Sequence, residues 1–284
     1  MDPASLRRLA ENLTDPLNRW YRYPAARALL RVAGDLPLRP DHITYLHTLS
    51  GILGATLIAW GTGAALVGAF VLLEVRMILD CYDGVLARAK KLSSPRGRTM
   101  DELGDGIAYV AICLGMAVHV ARTRPGLHPG AVLAFGIGLV FAGAMSGHAY
   151  DFYKRRIGSA LQDGRDAIAE EIAQKEQLVR QGGASWVTRF GIWFDRWQVR
   201  LYEPSYRRGD AASTILERAH RPGLRFLIRV IALLSWDNVL GALSIGVLLG
   251  RVFEVGLLAL AYGLVMFTTA RLTIWRVLGT KGKS

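Results

Sequence analysis

Asp80-Cys-Tyr-Asp83-Gly84-Val-Leu-Ala87-Arg88, then eight residues, then Gly97-Arg-Thr-Met-Asp101-Glu-Leu-Gly-Asp105: this stretch decides the fold. Asp80 and Asp83 are three residues apart, and Asp101 and Asp105 are four apart. On helices, each pair lies on one face. An apolar segment runs into the first pair and another runs out of the second. The spacing predicts two membrane helices joined by a loop of about a dozen residues, with four carboxylates converging at the membrane edge. Unpaired, such a cluster is costly, because like charges repel and each carboxylate loses hydration. A divalent cation resolves the conflict. All-oxygen ligation suits a hard ion, Mg²⁺ or Mn²⁺, and four carboxylates can hold two ions, the number that serves in-line displacement at phosphorus.

Working outward, six apolar segments stand near 43–61, 64–86, 103–121, 129–149, 224–250 and 253–277. Each approaches or exceeds the ~20 residues that cross a bilayer core. The 284-residue chain has a mean hydropathy of +0.24 and is 51% hydrophobic, yet 20% of it is charged. That combination excludes an ordinary soluble domain and predicts an all-α integral membrane protein of six transmembrane helices. The net charge of +12 is distributed by side: 31 of the 35 Lys and Arg residues fall in 1–40, 88–98, 154–229 and 271–283. Only Arg122, Arg124 and Arg251 fall in the intervening connections, and Arg76 lies inside the second segment. The positive-inside rule then puts both termini and the aspartates on the cytosolic side, as in the inner membrane of a bacterium. The charge lines a membrane surface, and no nucleic-acid module is present. Cys81 and Cys113 lie in apolar stretches without metal or disulfide spacing. No cleavable signal peptide is expected, since the first 40 residues have no continuous apolar core.

Four divisions follow. Residues 1–40 carry an amphipathic interfacial helix, with Leu6, Leu9, Leu13, Leu17 and Trp20 at helical spacing over 3–33. Residues 41–157 hold the first four spans and the motif. Residues 158–222 form a polar, aromatic insert, and 223–284 hold the last two spans. In the insert, Ala167 to Arg180 predicts a charged helix. Trp186, Phe190, Trp193 and Trp197 step by four, three and four, so one helical face is aromatic. That face suits the headgroup layer or a cap packed on the protein itself. Gly143-x3-Gly147 and Gly246-x3-Gly250 serve helix packing within one subunit or a homodimer face.

The remaining motif positions suit a nucleotide ligand. Gly84 leaves room beside Asp83 for close approach, and Ala87 keeps the same face shallow. Arg88 can bind a phosphate bidentately, and Ser93 and Ser94 offer hydroxyls in the connection. The full pattern, D-x2-D-G-x2-A-R-x8-G-x3-D-x3-D, resembles the signature of the CDP-alcohol phosphotransferase family, without gap or substitution. The six-span layout resembles it too, while the 158–222 insert lies outside the resemblance. By position, the resemblance implies metal ligation by Asp80, Asp83, Asp101 and Asp105, with Asp105 as general base. It implies CDP-donor contacts from Asp41, Thr44, Asp83, Gly84, Ala87, Arg88, Ser94 and Gly97. Many members have Asn where this chain has Asp41.

The reaction so implied joins a CDP-linked donor to an acceptor alcohol and releases CMP. A lipid donor, CDP-diacylglycerol, with a phosphorylated polyol such as inositol phosphate is the favoured pair. Lys154, Arg156 and Arg271 are the candidate acceptor-phosphate cations, and Lys154-x-Arg156 resembles a pair in phosphatidylinositol-phosphate synthases. The alternatives are CDP-choline or CDP-ethanolamine acting on a diacylglycerol, and a non-catalytic protein that binds nucleotide lipid. His47, His119 and His148 are read as packing or interfacial residues, and Asp237 and Asn238 as polar glue or part of an acceptor pocket.

Overall fold

The structure is a computed structural model that describes residues 1–182, 185–202 and 211–279; every regular element among them is helical. The N-terminal stretch is three pieces and not one helix. α1 (Pro3–Glu11) starts where the Asp2 carboxylate accepts from the Ser5 N–H at 2.8 Å, a side-chain cap. After a break at residues 12–15, Pro16 opens the next helical run, and a π-helical turn (Asn18–Arg22) leads into α2 (Tyr23–Ala33). α1 closes at Asn12, whose N–H donates to the Leu9 carbonyl at 3.3 Å, and proline is tolerated at the start of the next run because its missing N–H would have no partner there. Then come α3 (Pro40–Trp60), α4 (Gly63–Ala89), α5 (Pro95–Thr123) and α6 (Pro129–Asp163). The insert provides α7 (Ala167–Arg180), α8 (Trp186–Tyr202) and α9 (Ala211–Glu217). The chain ends with α10 (Pro222–Leu234), α11 (Trp236–Leu248) and α12 (Val252–Leu278).

Among the described residues, five helical stretches are long and apolar enough to cross a membrane: Pro40–Trp60, Pro95–Thr123, Pro129–Asp163, Pro222–Leu248 and Val252–Leu278. The chain is thus a multi-pass membrane protein. The fourth stretch breaks at Ser235, whose backbone is non-helical. The 27-residue α4 is long enough, but it carries Glu74, Arg76, Asp80 and Asp83 and is not apolar enough by composition.

The connection between α4 and α5 is shorter than expected, five residues (90–94) and not about a dozen. α4 runs through Ala89 and closes in a Schellman arrangement. The Leu92 N–H donates to the Ala87 carbonyl at 2.8 Å and the Lys91 N–H to Arg88 at 3.2 Å. Lys91 occupies the left-handed position that such a turn normally gives to glycine, with φ 56°. Three residues later Ser94 starts α5, its Oγ accepting from the Gly97 N–H at 3.0 Å, with Pro95 next in the first turn.

The chain divides into two compact units. One comprises residues 17–144 and 237–262, the other 1–16, 145–236 and 263–284. In the first, α3 packs against both α4 and α5. Glycines make the α3–α5 approach close. A Cβ on Gly115 would lie 2.4 Å from the Ala55 carbonyl oxygen, one on Gly104 2.5 Å from Thr48 Oγ1, and one on Gly51 2.7 Å from the Ala108 Cβ. The backbones meet where these side chains are missing, and this sets the spacing of everything the helices carry.

In the second unit, an apolar core of α1, α6, α9, α10 and α12 residues surrounds Phe152, Tyr153 and Tyr202. Buried ion pairs fasten α7 and α8. Lys175, fully buried, reaches Asp195 at 2.7 Å and Glu171 at 3.0 Å, and Arg155 reaches Glu171 at 2.7 Å. α8 consequently turns Asp195 and Gln198 inward and leaves Trp186 and Trp193 70% and 60% exposed. Phe190, Phe194 and Trp197 are half-buried and stack on one another, and Phe194 packs edge-on against the His148 ring of α6.

Candidate active site

The site lies within one unit, where α3, α4 and α5 meet. Thr44 sits one turn into α3, and its hydroxyl donates to Asp83 Oδ2 at 2.9 Å. Three residues further on the same face, the His47 ring lies among the carboxylates with no exposed side-chain surface. Its Nε2 is 3.3 Å from Asp101 Oδ1 and 3.5 Å from Asp83 Oδ2, and its Nδ1 is 3.8 Å from Asp105 Oδ1. From α4, the Arg76 guanidinium donates to Asp105 Oδ1 at 2.6 Å. The Arg76 side chain is 4% exposed while that of Asp105 is 40% exposed, so Asp105 is held from the inside and open on the outside.

The four aspartates of the motif are therefore brought together, as their spacing implied. His47, Asp80, Asp101 and Asp105 each offer one ligand atom within 4.8 Å of the others. Asp83 is not of that set; it is buried against Thr44 and His47. Neither ring nitrogen of His47 has a hydrogen-bond partner of acceptable geometry, nor does Asp101 Oδ1. Buried polar atoms left in this way carry a free-energy penalty. A divalent cation accepting these atoms would remove it, so the donor set fits the metal that the motif implies.

Around this core, Asp41 is exposed in the first turn of α3. A Cβ on Gly97 would lie 4.0 Å from Asp41 Oδ1, so the starts of α3 and α5 meet there. Gly84 and Ala87 are half-buried and Arg88 is exposed. A Cβ on Gly84 would lie 3.5 Å from Arg88 Nη1, so the guanidinium lies over the glycine's open face. Ser94 acts as the α5 cap. The three acceptor-side cations all belong to the other unit. Lys154 Nζ stands over the Tyr150 ring, 4.8 Å from its centroid; Arg156 is buried and reaches Asp166 at 2.7 Å; Arg271 donates to the carbonyls of Leu201 and Tyr202 at 3.2 and 3.4 Å.

The sequence reading missed two residues of the site. The sequence suggests packing or an interface for His47, but its spacing of three from Thr44 puts both residues on one helix face. Arg76 stands in the middle of an apolar segment, away from its charged ends, and such a residue requires an acidic partner. Asp237 proves to be polar glue. Its carboxylate accepts from Asn18 Nδ2 at 2.7 Å and its carbonyl from Arg22 at 3.1 Å. His119, by contrast, packs as expected, buried with Nδ1 3.0 Å from the Ile58 carbonyl.

Comparison with known proteins finds similarity over the stretch that holds the paired aspartates and the glycine beside them. Residues 38–150 match the family model described as CDP-alcohol phosphatidyltransferase. A Rubrobacter xylanophilus protein described as a bifunctional IPC transferase and DIPP synthase is 38% identical over 91 residues, 31% of this chain. The chain spans about a fifth (20%) of the length of that relative.

Proposed function

We propose that this protein is a membrane CDP-alcohol phosphotransferase. It would join a CDP-linked donor, CDP-diacylglycerol, to a phosphorylated polyol such as inositol phosphate, and release CMP. The observation that carries the reading is the convergence of Asp80, Asp101, Asp105 and His47 within 4.8 Å in the stretch that matches this family. Support for a transferase comes from the name of the Rubrobacter relative, and for a phosphorylated acceptor from the cationic Lys154-x-Arg156 pair. Lys154, Arg156 and Arg271 are the proposed acceptor-phosphate residues.

Mg²⁺ or Mn²⁺, as one or two ions held by the motif aspartates, would neutralise the donor pyrophosphate and the charge developing on the departing CMP. The protein's own groups do the rest. Thr44 fixes the Asp83 carboxylate. Arg88, over Gly84, is placed to hold a donor phosphate, and Ser94, Gly97 and Asp41 line the approach. Arg76 anchors one oxygen of Asp105, leaving the exposed carboxylate to take the proton of the acceptor hydroxyl. That oxygen attacks the β-phosphorus in line, the bond to the bridging oxygen breaks, and CMP leaves. Positioning and electrostatics dominate such transfers.

In this reading α4 is a sixth span, its charges turned onto the site and away from lipid. Both termini and the site face the cytosol, and α8 lies at headgroup level with its tryptophans in the interface. The test is CMP release by purified protein in detergent with Mg²⁺. CDP-diacylglycerol would be paired in turn with inositol phosphate, glycerol phosphate, inositol and serine, and a parallel set would pair CDP-choline or CDP-ethanolamine with diacylglycerol. Release with inositol phosphate alone supports the proposal. Release only with diacylglycerol would replace it with the soluble-donor reaction, and silence throughout would sink the catalytic reading.

A further inference from the structure

The four motif aspartates account for a hard, all-oxygen cation site. They do not account for His47. The ring is fully buried, points into the carboxylates from α3, and has no hydrogen-bond partner at either nitrogen. A histidine that only filled space there would normally satisfy at least one nitrogen on a backbone carbonyl, as His119 does on Ile58. Close packing also fixes its place. A Cβ on Gly104 of α5 would come within 3.8 Å of the His47 Cε1, so the absence of that side chain lets the ring reach the carboxylates.

We infer that His47 is a metal ligand, so that this protein holds its cation in a mixed nitrogen–oxygen site selective for Mn²⁺ over Mg²⁺. Nε2 is the coordinating atom, since it faces both Asp101 and Asp83. Nδ1 lies 3.8 Å from Asp105 Oδ1, beyond hydrogen-bond reach. An imidazole nitrogen favours the later divalent ions; Mg²⁺, which demands oxygen ligands and sheds water reluctantly, gains least from it. The inference rests on the site being the metal site proposed above.

The experiment is pulsed electron paramagnetic resonance on Mn²⁺-loaded, detergent-purified full-length protein with CMP present, grown with natural or ¹⁵N-labelled histidine. Isothermal titrations of Mn²⁺ and Mg²⁺ accompany it. The expected result is a histidine nitrogen coupling in the wild type that shifts on ¹⁵N labelling and vanishes in His47→Asn. The preference for Mn²⁺ over Mg²⁺ should fall at least about tenfold in that variant, the scale on which even a ligand's supporting partners are felt. The wild-type spectrum alone decides the point if His47→Asn fails to fold. Mn²⁺ bound without nitrogen coupling overturns the ligand assignment and leaves the metal reading standing. No binding of either ion overturns the metal reading itself.

Discussion

Arg76 provides the sharpest test of the site's electrostatics. In Arg76→Gln, the guanidinium that meets Asp105 at 2.6 Å is lost and a neutral amide takes its place. At that separation, with an effective dielectric of about 20, the gross attraction is about 6 kcal/mol. Desolvation of a buried guanidinium offsets part of it. What remains is the cost of a carboxylate left uncompensated among Asp80, Asp83 and Asp101; with Asp105 40% exposed and screened by solvent, that is about 2–3 kcal/mol, less than for a fully buried pair. At about 2–4 °C per kcal/mol, that is a fall in Tm of about 4–12 °C. The loss should depend on metal. In EDTA the full deficit appears; in saturating Mg²⁺ or Mn²⁺ the bound ion supplies the missing positive charge, and the gap to wild type narrows. The assay is thermal unfolding in detergent, both proteins, with and without metal. An unchanged Tm in EDTA, or the same deficit in both conditions, would refute the reasoning.

Three further outcomes follow from the packing. Gly115→Ala drives a methyl to 2.4 Å from the Ala55 carbonyl, on backbone that cannot swing away; α3 and α5 must part, and Tm should drop by the equivalent of about 1–3 kcal/mol. Lys175→Met strips the buried partner of Asp195 and Glu171. About 3–5 kcal/mol is then lost locally, so limited proteolysis should cut within 164–202 much faster while the aspartate site still binds metal. Lys91→Gly relieves a left-handed non-glycine residue and should raise stability by about 1 kcal/mol, read as a small rise in Tm.

The apolar segments near 43–61, 64–86, 129–149 and 253–277 were legible because each is bounded by glycine, proline or charge, and helices stand at all of them. Their ends were less so. α5 starts at Pro95 and not near 103 because Ser94 caps it, a local signal weaker than the charges of Arg96, Arg98 and Asp101. α6 continues to Asp163 because Arg155 and Arg156 find acids on the insert, partners that no periodicity reveals. The amphipathic spacing over 3–33 suggested one helix, but residues 12–15 interrupt it. In the site, the aspartates were legible as a spaced motif. His47 and Arg76 were not, because their role depends on how closely α3 and α4 approach α5, and that closeness is set by glycines whose purpose shows only in three dimensions.

The most direct test of the central claim is a comparison of wild type with Asp105→Asn, measuring CMP release from CDP-diacylglycerol with inositol phosphate and, in parallel, donor binding. Wild type should release CMP with Mg²⁺ or Mn²⁺ and stop in EDTA, and Asp105→Asn should bind the donor yet release none. CMP release that persists in EDTA, or in Asp105→Asn at near wild-type rate, would contradict it.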